Sequence, residues 1–302
     1  MKTNVVNLKK TTAVVIAFVL MILSAMYAGN KSEAANSQRE YKVFNAKTGQ
    51  LMKTYTLDKL PTRDNSRSVI GTDDRVIDWN KSGVVKILNS TDRCSGFVVS
   101  DHVIATAAHC VYEYKKVSPN PKKISDILLF DTNGDVTMHA TPVKYHVPSK
   151  YISSGSNNYD YALITVEEDL RFYACFDLGV PLYSFDDNNS VVTVTGFPGT
   201  IGTGNNEKRV NTDTEHMMYS GNGIVYDIKD SLIYYKADSS GGNSGGPVYI
   251  TESKSVSEDE DKRRTYYTVV AIHTTGNNDV NYGTRITTDL IHFYKANSYI
   301  NW

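Results

Sequence analysis

Ser244 stands in the run Gly241-Gly242-Asn243-Ser244-Gly245-Gly246-Pro247, directly before the strand-like Val248-Tyr249-Ile250. A serine hydroxyl is a poor nucleophile at neutral pH, so it needs a base within hydrogen-bond reach and an open approach for a carbonyl. Glycines leave that approach open. They also let backbone N–H groups converge, and those of Gly242 and Ser244 are placed by sequence to hold a tetrahedral oxyanion. A glycine-rich hairpin turn is the competing reading of the same residues.

A base and its orienting group are also present. Thr106-Ala107-Ala108-His109-Cys110 ends the strand-like run from Val103 to Ala107, and a histidine on a rigid strand end suits a general base. Cys110 can hold it by pairing with Cys94, a bridge over a loop of about 16 residues that contributes roughly 3 kcal/mol by loop entropy. A structural histidine beside a structural bridge is the alternative. Asp160 heads the apolar run Tyr161-Ala162-Leu163-Ile164. An aspartate where burial begins can accept the second ring N–H of a histidine, fix its tautomer and stabilise the imidazolium; many aspartates do no more than cap a strand. With His109, Asp160 and Ser244 all beside strands, the joint reading is base, orienting acid and nucleophile.

The elements that must position them read as β. Runs rich in Val, Ile, Thr, Tyr and Phe recur at 84–88, 96–100, 103–107, 127–130, 161–166, 191–196, 224–228, 232–235, 248–251 and 266–272, with Asn133-Gly134 as a hairpin signal. At the end, Leu290, Phe293, Tyr294 and Asn297 follow Thr288 at helical spacing, which predicts one carboxy-terminal helix capped by Thr288. Strands without alternating helices suit barrels or sandwiches better than a parallel sheet.

Composition bounds the function. The 302 residues are 40% hydrophobic and 22% charged with a formal net charge of -1, ordinary for a globular protein. The charge is unevenly spread: residues 1–67 carry 11 Lys and Arg against 4 Asp and Glu, whereas 68–302 carry 21 against 29. An acidic body repels phosphate backbones, so no nucleic-acid partner is expected. Lys2, Lys9 and Lys10 precede an apolar stretch from Ala13 to Met26, with small residues at Ser32 and Ala34. Residues 1–35 therefore read as a secretory signal, its apolar run shorter than a membrane span, with a retained membrane anchor as the alternative, and the product as extracellular with no membrane association once mature. Residues 36–67 are polar and basic, with Tyr41, Val43, Phe44, Leu51 and Leu57 scattered and no long periodic face; they read as a propeptide or linker. Secretion permits the Cys94–Cys110 pair and leaves Cys175 over.

The His-Asp-Ser order, Thr-Ala-Ala-His-Cys and Gly-Asn-Ser-Gly-Gly-Pro resemble the chymotrypsin-fold serine peptidases. Ser68-Val69-Ile70-Gly71-Thr72-Asp73-Asp74-Arg75, Asn158-Tyr159-Asp160-Tyr161, Ala271-Ile272-His273-Thr274 and Gly283-Thr284-Arg285-Ile286-Thr287 are similar to the secreted glutamyl endopeptidases of Bacillus and the staphylococcal V8-like enzymes. The resemblance covers essentially all of 68–302. It implies two β-barrels with the site in the cleft between them, a peptidase body at 68–302 released by a cut after Arg67, and hydrolysis of protein or peptide substrates through an acyl-enzyme; a monomer without cofactor is expected. Trypsin-like enzymes bury an aspartate just before the nucleophile to pair with the freed amino terminus. Here that residue is the neutral Asn243, so activation by that ion pair is not expected.

The pocket residues divide the expectation. Ser239 and His273 can donate hydrogen bonds to a substrate glutamate, as the resemblance implies. Asp238, six before Ser244, stands where trypsin-like enzymes carry the aspartate that recognises Arg or Lys. For glutamate specificity Asp238 must point away from the ligand, and Arg285 is a candidate cation for it. Trypsin-like specificity through Asp238 is the alternative, and a non-catalytic binding protein of the same fold a further one. The Asp131-Thr132-Asn133-Gly134-Asp135 run fits a calcium loop poorly, because its glycine is misplaced and position 12 is Pro142. The histidines lack zinc-protease spacing, so no metal is expected. The charged run 258–264 reads as a hairpin tip and a nicking site.

Overall fold

The protein is described by a computed structural model, here for residues 38–58, 73–89, 92–114, 120–173, 176–180, 190–202, 206–255, 263–276 and 280–298. The signal segment 1–35, the Arg67-Ser68 junction, Cys175 and most of the charged run 258–264 lie outside these residues.

The strands longer than two residues are β1 (Gln38–Asn45), β2 (Leu51–Asp58), β3 (Val84–Asn89), β4 (Arg93–Ser100), β5 (Val103–Thr106), β6 (Ile124–Phe130), β7 (Val136–His139), β8 (Pro142–Pro148), β9 (Ala162–Val166), β10 (Val191–Gly196), β11 (Tyr219–Ile228), β12 (Leu232–Tyr235), β13 (Pro247–Ser255), β14 (Arg263–Gly276) and β15 (Asn281–Arg285), followed by helix α1 (Thr288–Ser298). Each expected strand is present. The Asn133-Gly134 turn joins β6 to β7, with Gly134 at φ 90° against the Trp79 ring.

The first sheet runs β7-β6-β3-β4-β5-β9-β8 and continues into β1 and β2. Strands β7 and β8 lie at opposite ends of the seven-strand path, yet only Ala140 and Thr141 separate them in the chain. The sheet must therefore curl until β7 and β8 approach at the corner that joins them, which makes the first barrel, with no ladder between the two strands among the described residues and β8 left to pair with β1. In the second sheet β14-β13-β10-β11-β12-β15 closes on itself, because β15 pairs with both β12 and β14. Closure removes the open edges. Inward residues such as Ile87, Val98, Ile104 and Ile164, which the register places on one face, fill one barrel, and Val194, Val225, Tyr235 and Val248 fill the other, all essentially fully buried.

The barrels meet through Phe130 and Phe197, whose ring centroids lie 5.0 Å apart, with Trp79 and Met218 against them. Lys86, fully buried on β3, pins the joint: its Nζ donates to the carbonyls of Thr212 and Glu215, each at 2.7 Å. Burial lowers its pKa to about 8.

Three local expectations change. Leu290 N–H donates to Thr287 Oγ1 at 3.3 Å, so Thr287 rather than Thr288 caps α1. Two short helices, Ala108–Val111 and Ser149–Ser154, join the terminal one. The larger change is at the start of the chain, where residues 38–58, read as a propeptide or linker without a long periodic face, form a β-hairpin. Tyr41 and Val43 alternate onto its buried face and are fully covered. Period-two spacing of Tyr41 with Val43, and of Tyr55 with Leu57, was the available signal; its short length and basic composition hid it.

Candidate active site

In the β5–β9 ladder Thr106 lies opposite Ala162. His109 is three residues beyond the end of β5 and Asp160 two before the start of β9, so antiparallel pairing brings both out at one end of the barrel. After Thr106 the chain makes the one-turn helix that carries His109. The fully buried Ala107 and Ala108 let that turn sit tight on the sheet, and Cys94–Cys110, with Cα atoms 6.1 Å apart, ties it to β4.

Asp160, 3% exposed, accepts twice from the same histidine. Its Oδ2 lies 2.7 Å from the ring Nδ1, and its Oδ1 accepts the His109 backbone N–H at 2.9 Å. With the Nδ1 proton directed at the carboxylate, Nε2 is left as the basic nitrogen. Burial opposes protonation of the ring, but the charge and hydrogen bond of Asp160 outweigh it and raise the His109 pKa above the usual histidine value. The acid is fixed from behind: Thr284 Oγ1 lies 3.1 Å from the carbonyls of Asp160 and Asn157.

Ser244 lies on the turn before β13, next to the second barrel. Gly242 and Gly245 have φ of 108° and 86°, a region that side-chain-bearing residues seldom occupy. A Cβ on Gly242 would strike the Phe197 carbonyl, and one on Gly245 the Thr106 hydroxyl and the Ser95 carbonyl. Ser95 links this turn to the first barrel: its Oγ donates to Gly242 O at 2.8 Å and its N–H to Ser244 O at 2.8 Å. The Ser244 hydroxyl donates to Thr274 O at 3.2 Å. Among the described residues, neither the Gly242 nor the Ser244 N–H donates to a protein acceptor. Asn243, 1% exposed, has no hydrogen-bond partner for its amide among them.

Beside this turn, Gly245 N–H donates to His273 O at 2.7 Å and His273 N–H to Gly246 O at 2.9 Å. The His273 ring is 2% exposed, with Nδ1 2.5 Å from the Tyr235 hydroxyl. Burial first, then the nearby His109, lowers its pKa to about 3, so it is neutral at ordinary pH. The buried Tyr235 O–H needs an acceptor and Nδ1 provides it, which puts the ring proton on Nε2.

Asp238 Oδ2 accepts the Asp74 N–H at 3.2 Å. Burial raises its pKa, while that hydrogen bond and the charge of Arg75 work the other way. The expected pairing with Arg285 is not formed: Arg285 Nη1 donates to Lys229 O at 3.1 Å, and the cation beside Asp238 is Arg75. Arg75 grips Asp73 through Nε at 2.9 Å and Nη2 at 2.7 Å and reaches Ser240 Oγ at 3.3 Å. That clamp, from Arg75 above all, lowers the Asp73 pKa to about 2. Residues 73–75 thus line the wall formed by 238–240. Sequence reasoning missed this, as it missed Ser95, Thr284 and Tyr235, because each acts through a contact distant in the chain.

Two closed or curled β-barrels that meet beside the segments carrying Ser244, His109 and Asp160 are the architecture of the chymotrypsin-fold proteases. The family model for trypsin matches residues 69–302, and the chain belongs to the trypsin family. It is 28% identical over 241 residues to a glutamyl endopeptidase of Bacillus licheniformis, covering 74% of this chain and 67% of that protein. It is 26% identical over 249 residues, with the same coverage, to a Bacillus subtilis protein named extracellular metalloprotease. In three dimensions it is similar to a Glu endopeptidase solved in complex with MPD, with a TM-score of 0.59, 20% identity, and coverage of 76% of this chain and 99% of that one. The chain is therefore a serine endopeptidase. The metal in the second relative's name finds one cluster of three ligand-type side chains among the described residues, Cys94, His109 and Cys110. Its two sulfurs are bonded to each other.

Proposed function

We propose that the enzyme is an extracellular endopeptidase that cuts on the carboxyl side of glutamate, and less readily of aspartate, using His109, Asp160 and Ser244. The leader 1–35, the extracellular relative and an amino-terminal cut after Arg67 that yields the body 68–302 belong to the same reading.

Ser244 Oγ attacks the scissile carbonyl as His109 Nε2 takes its proton. For this the hydroxyl turns from Thr274 O toward the histidine, a tightening that substrate induces. The positive ring that forms lies against the buried Asp160 carboxylate, and the oxyanion faces the unengaged N–H groups of Gly242 and Ser244. His109 returns the proton to the leaving amine, an acyl-enzyme remains on Ser244, and a water activated by His109 hydrolyses it.

The observation that carries the specificity is the neutral His273, held through Nδ1 by Tyr235 so that its Nε2–H is the atom left for a ligand. With the Ser239 hydroxyl it offers donors to a carboxylate, while the Asp238 carboxylate is engaged by the Asp74 N–H. A paired set of peptides differing only in Glu, Gln or Arg before the cut bond tests this. The expected order of kcat/KM is Glu well above Gln, with Arg lowest; Arg above Glu would transfer recognition to Asp238.

A further inference from the structure

The amino-terminal hairpin is built into the catalytic body. Strand β1 pairs with β8 over five residues, Tyr41 opposite Pro148 through Asn45 opposite Lys144, and so occupies what would otherwise be an open edge. The hairpin also grips α1 at three levels. Arg39 Nη2 pairs with the buried Asp289 at 3.0 Å, Tyr41 stacks on Phe293 with centroids 4.3 Å apart, and Asn297 Nδ2 donates to the Tyr55 hydroxyl at 2.8 Å. Tyr41 is fully buried, as a core residue is.

The same contacts reach the residue after Asp160. The buried Tyr161 hydroxyl lies 3.0 Å from the Tyr41 hydroxyl and accepts from Arg39 Nη1 at 3.4 Å. Removing the hairpin would strip Tyr161 of both partners, uncover Phe293 and leave one edge of β8 unpaired. Unmet polar groups and bared aromatic surface at one place are costly. Among the described residues, no hydrogen bond or ion pair joins the hairpin to His109, Ser244, Ser239 or His273. Its docking is thus compatible with an open active site.

We propose that residues 38–58 are a permanent second chain of the mature enzyme, staying bound by β-augmentation after the backbone is cut and supporting the Asp160 segment through Tyr161. This rests on the reading that the chain is cut after Arg67, yet it can be tested apart from it. A recognition sequence for a specific protease is placed between Leu60 and Arg67 of the full chain carrying Ser244→Ala. The exported protein is cut to completion and passed through a native size-exclusion column at physiological salt, and the peak is analysed by mass spectrometry.

The expected result is a fragment holding residues 38–58 in equal amount with the body in one peak. Arg39→Ala with Tyr41→Ala should release the fragment after the same cut. A wild-type fragment eluting alone, with the body still folded by circular dichroism, would overturn the proposal. A fragment that leaves while the body unfolds would also overturn its permanence. Amino-terminal sequencing of the exported enzyme with Ser244 intact reports separately on the cut after Arg67.

Discussion

Asp160 holds His109 at two points, Oδ2 at 2.7 Å from the ring Nδ1 and Oδ1 at 2.9 Å from the backbone nitrogen of the same residue. One side chain therefore sets both where the histidine sits and which ring nitrogen is left basic. Asp160→Asn can keep the bond to the backbone N–H through its amide oxygen, but it loses the charge and presents an N–H to the ring. The fold should survive and kcat should fall by about 10⁴-fold. Steady-state kinetics beside a thermal melt check this; a loss under tenfold in a folded variant would remove Asp160 from the mechanism.

The raised His109 pKa has a kinetic counterpart. In the proposed mechanism the ring must be neutral to accept the Ser244 proton, so the acid limb of kcat/KM should lie above the ordinary histidine value near 6.5. Asp160→Asn should move whatever activity remains to lower pH, since it removes the charge that favours the protonated ring.

Stability should also fall toward acid pH, through two other histidines. His146, 1% exposed on β8, and His273 both have pKa values lowered to about 3, by burial first, with Lys53 adding at His146 and His109 at His273. In the unfolded chain both protonate below about 6.5, so the unfolded state binds more protons across the window from about 6.5 to 3. Stability is then expected to fall as pH drops through that window, by up to about 1.4 kcal/mol per pH unit for each histidine. Urea titrations at pH 7, 6 and 5 measure it, and a shallower slope in His146→Gln assigns its share.

Asp238→Asn separates the two pocket readings. With the carboxylate committed to Asp74, its loss removes a negative charge near the substrate without removing a contact to it. Cleavage after Glu should be kept or rise by roughly fivefold, about 1 kcal/mol of relieved repulsion. In a trypsin-like pocket the same change would abolish cleavage after Arg, measured with the Glu and Arg peptides.

The Cys94–Cys110 link should act on stability more than on chemistry. Its ends are 16 residues apart, so replacing both by Ser should cost roughly 3 kcal/mol. The lowered melting temperature should come with a smaller effect on kcat, because Asp160 still holds the His109 backbone.

How far the site was legible depended on distance along the chain. Ser244 with its glycines, His109 after small residues and Asp160 before an apolar run announce themselves locally, since each needs neighbours of a given size and polarity. Closure of the second barrel by β15 was less visible, because Asn281–Arg285 has little hydrophobic alternation and owes its place to partners on both sides. The Asp73–Arg75 clamp on the pocket wall could not be read at all, since it joins segments more than 160 residues apart. Arg285 was given the wrong partner for the same reason. The hairpin at 38–58 carried a signal in Tyr41 and Val43, but a two-stranded ribbon is marginal alone and only the β8 edge and α1 make it stable.

The central claim is that Ser244 cuts peptides after glutamate. The most direct test is to digest a complex peptide mixture with the exported, processed enzyme beside a Ser244→Ala control and map every new terminus by mass spectrometry. Cuts concentrated after Glu, with a minority after Asp and none in the control, are the expected result. Cuts concentrated after Lys or Arg would contradict the pocket assigned to His273 and Ser239, and cuts that persist in the control would contradict Ser244 as the nucleophile.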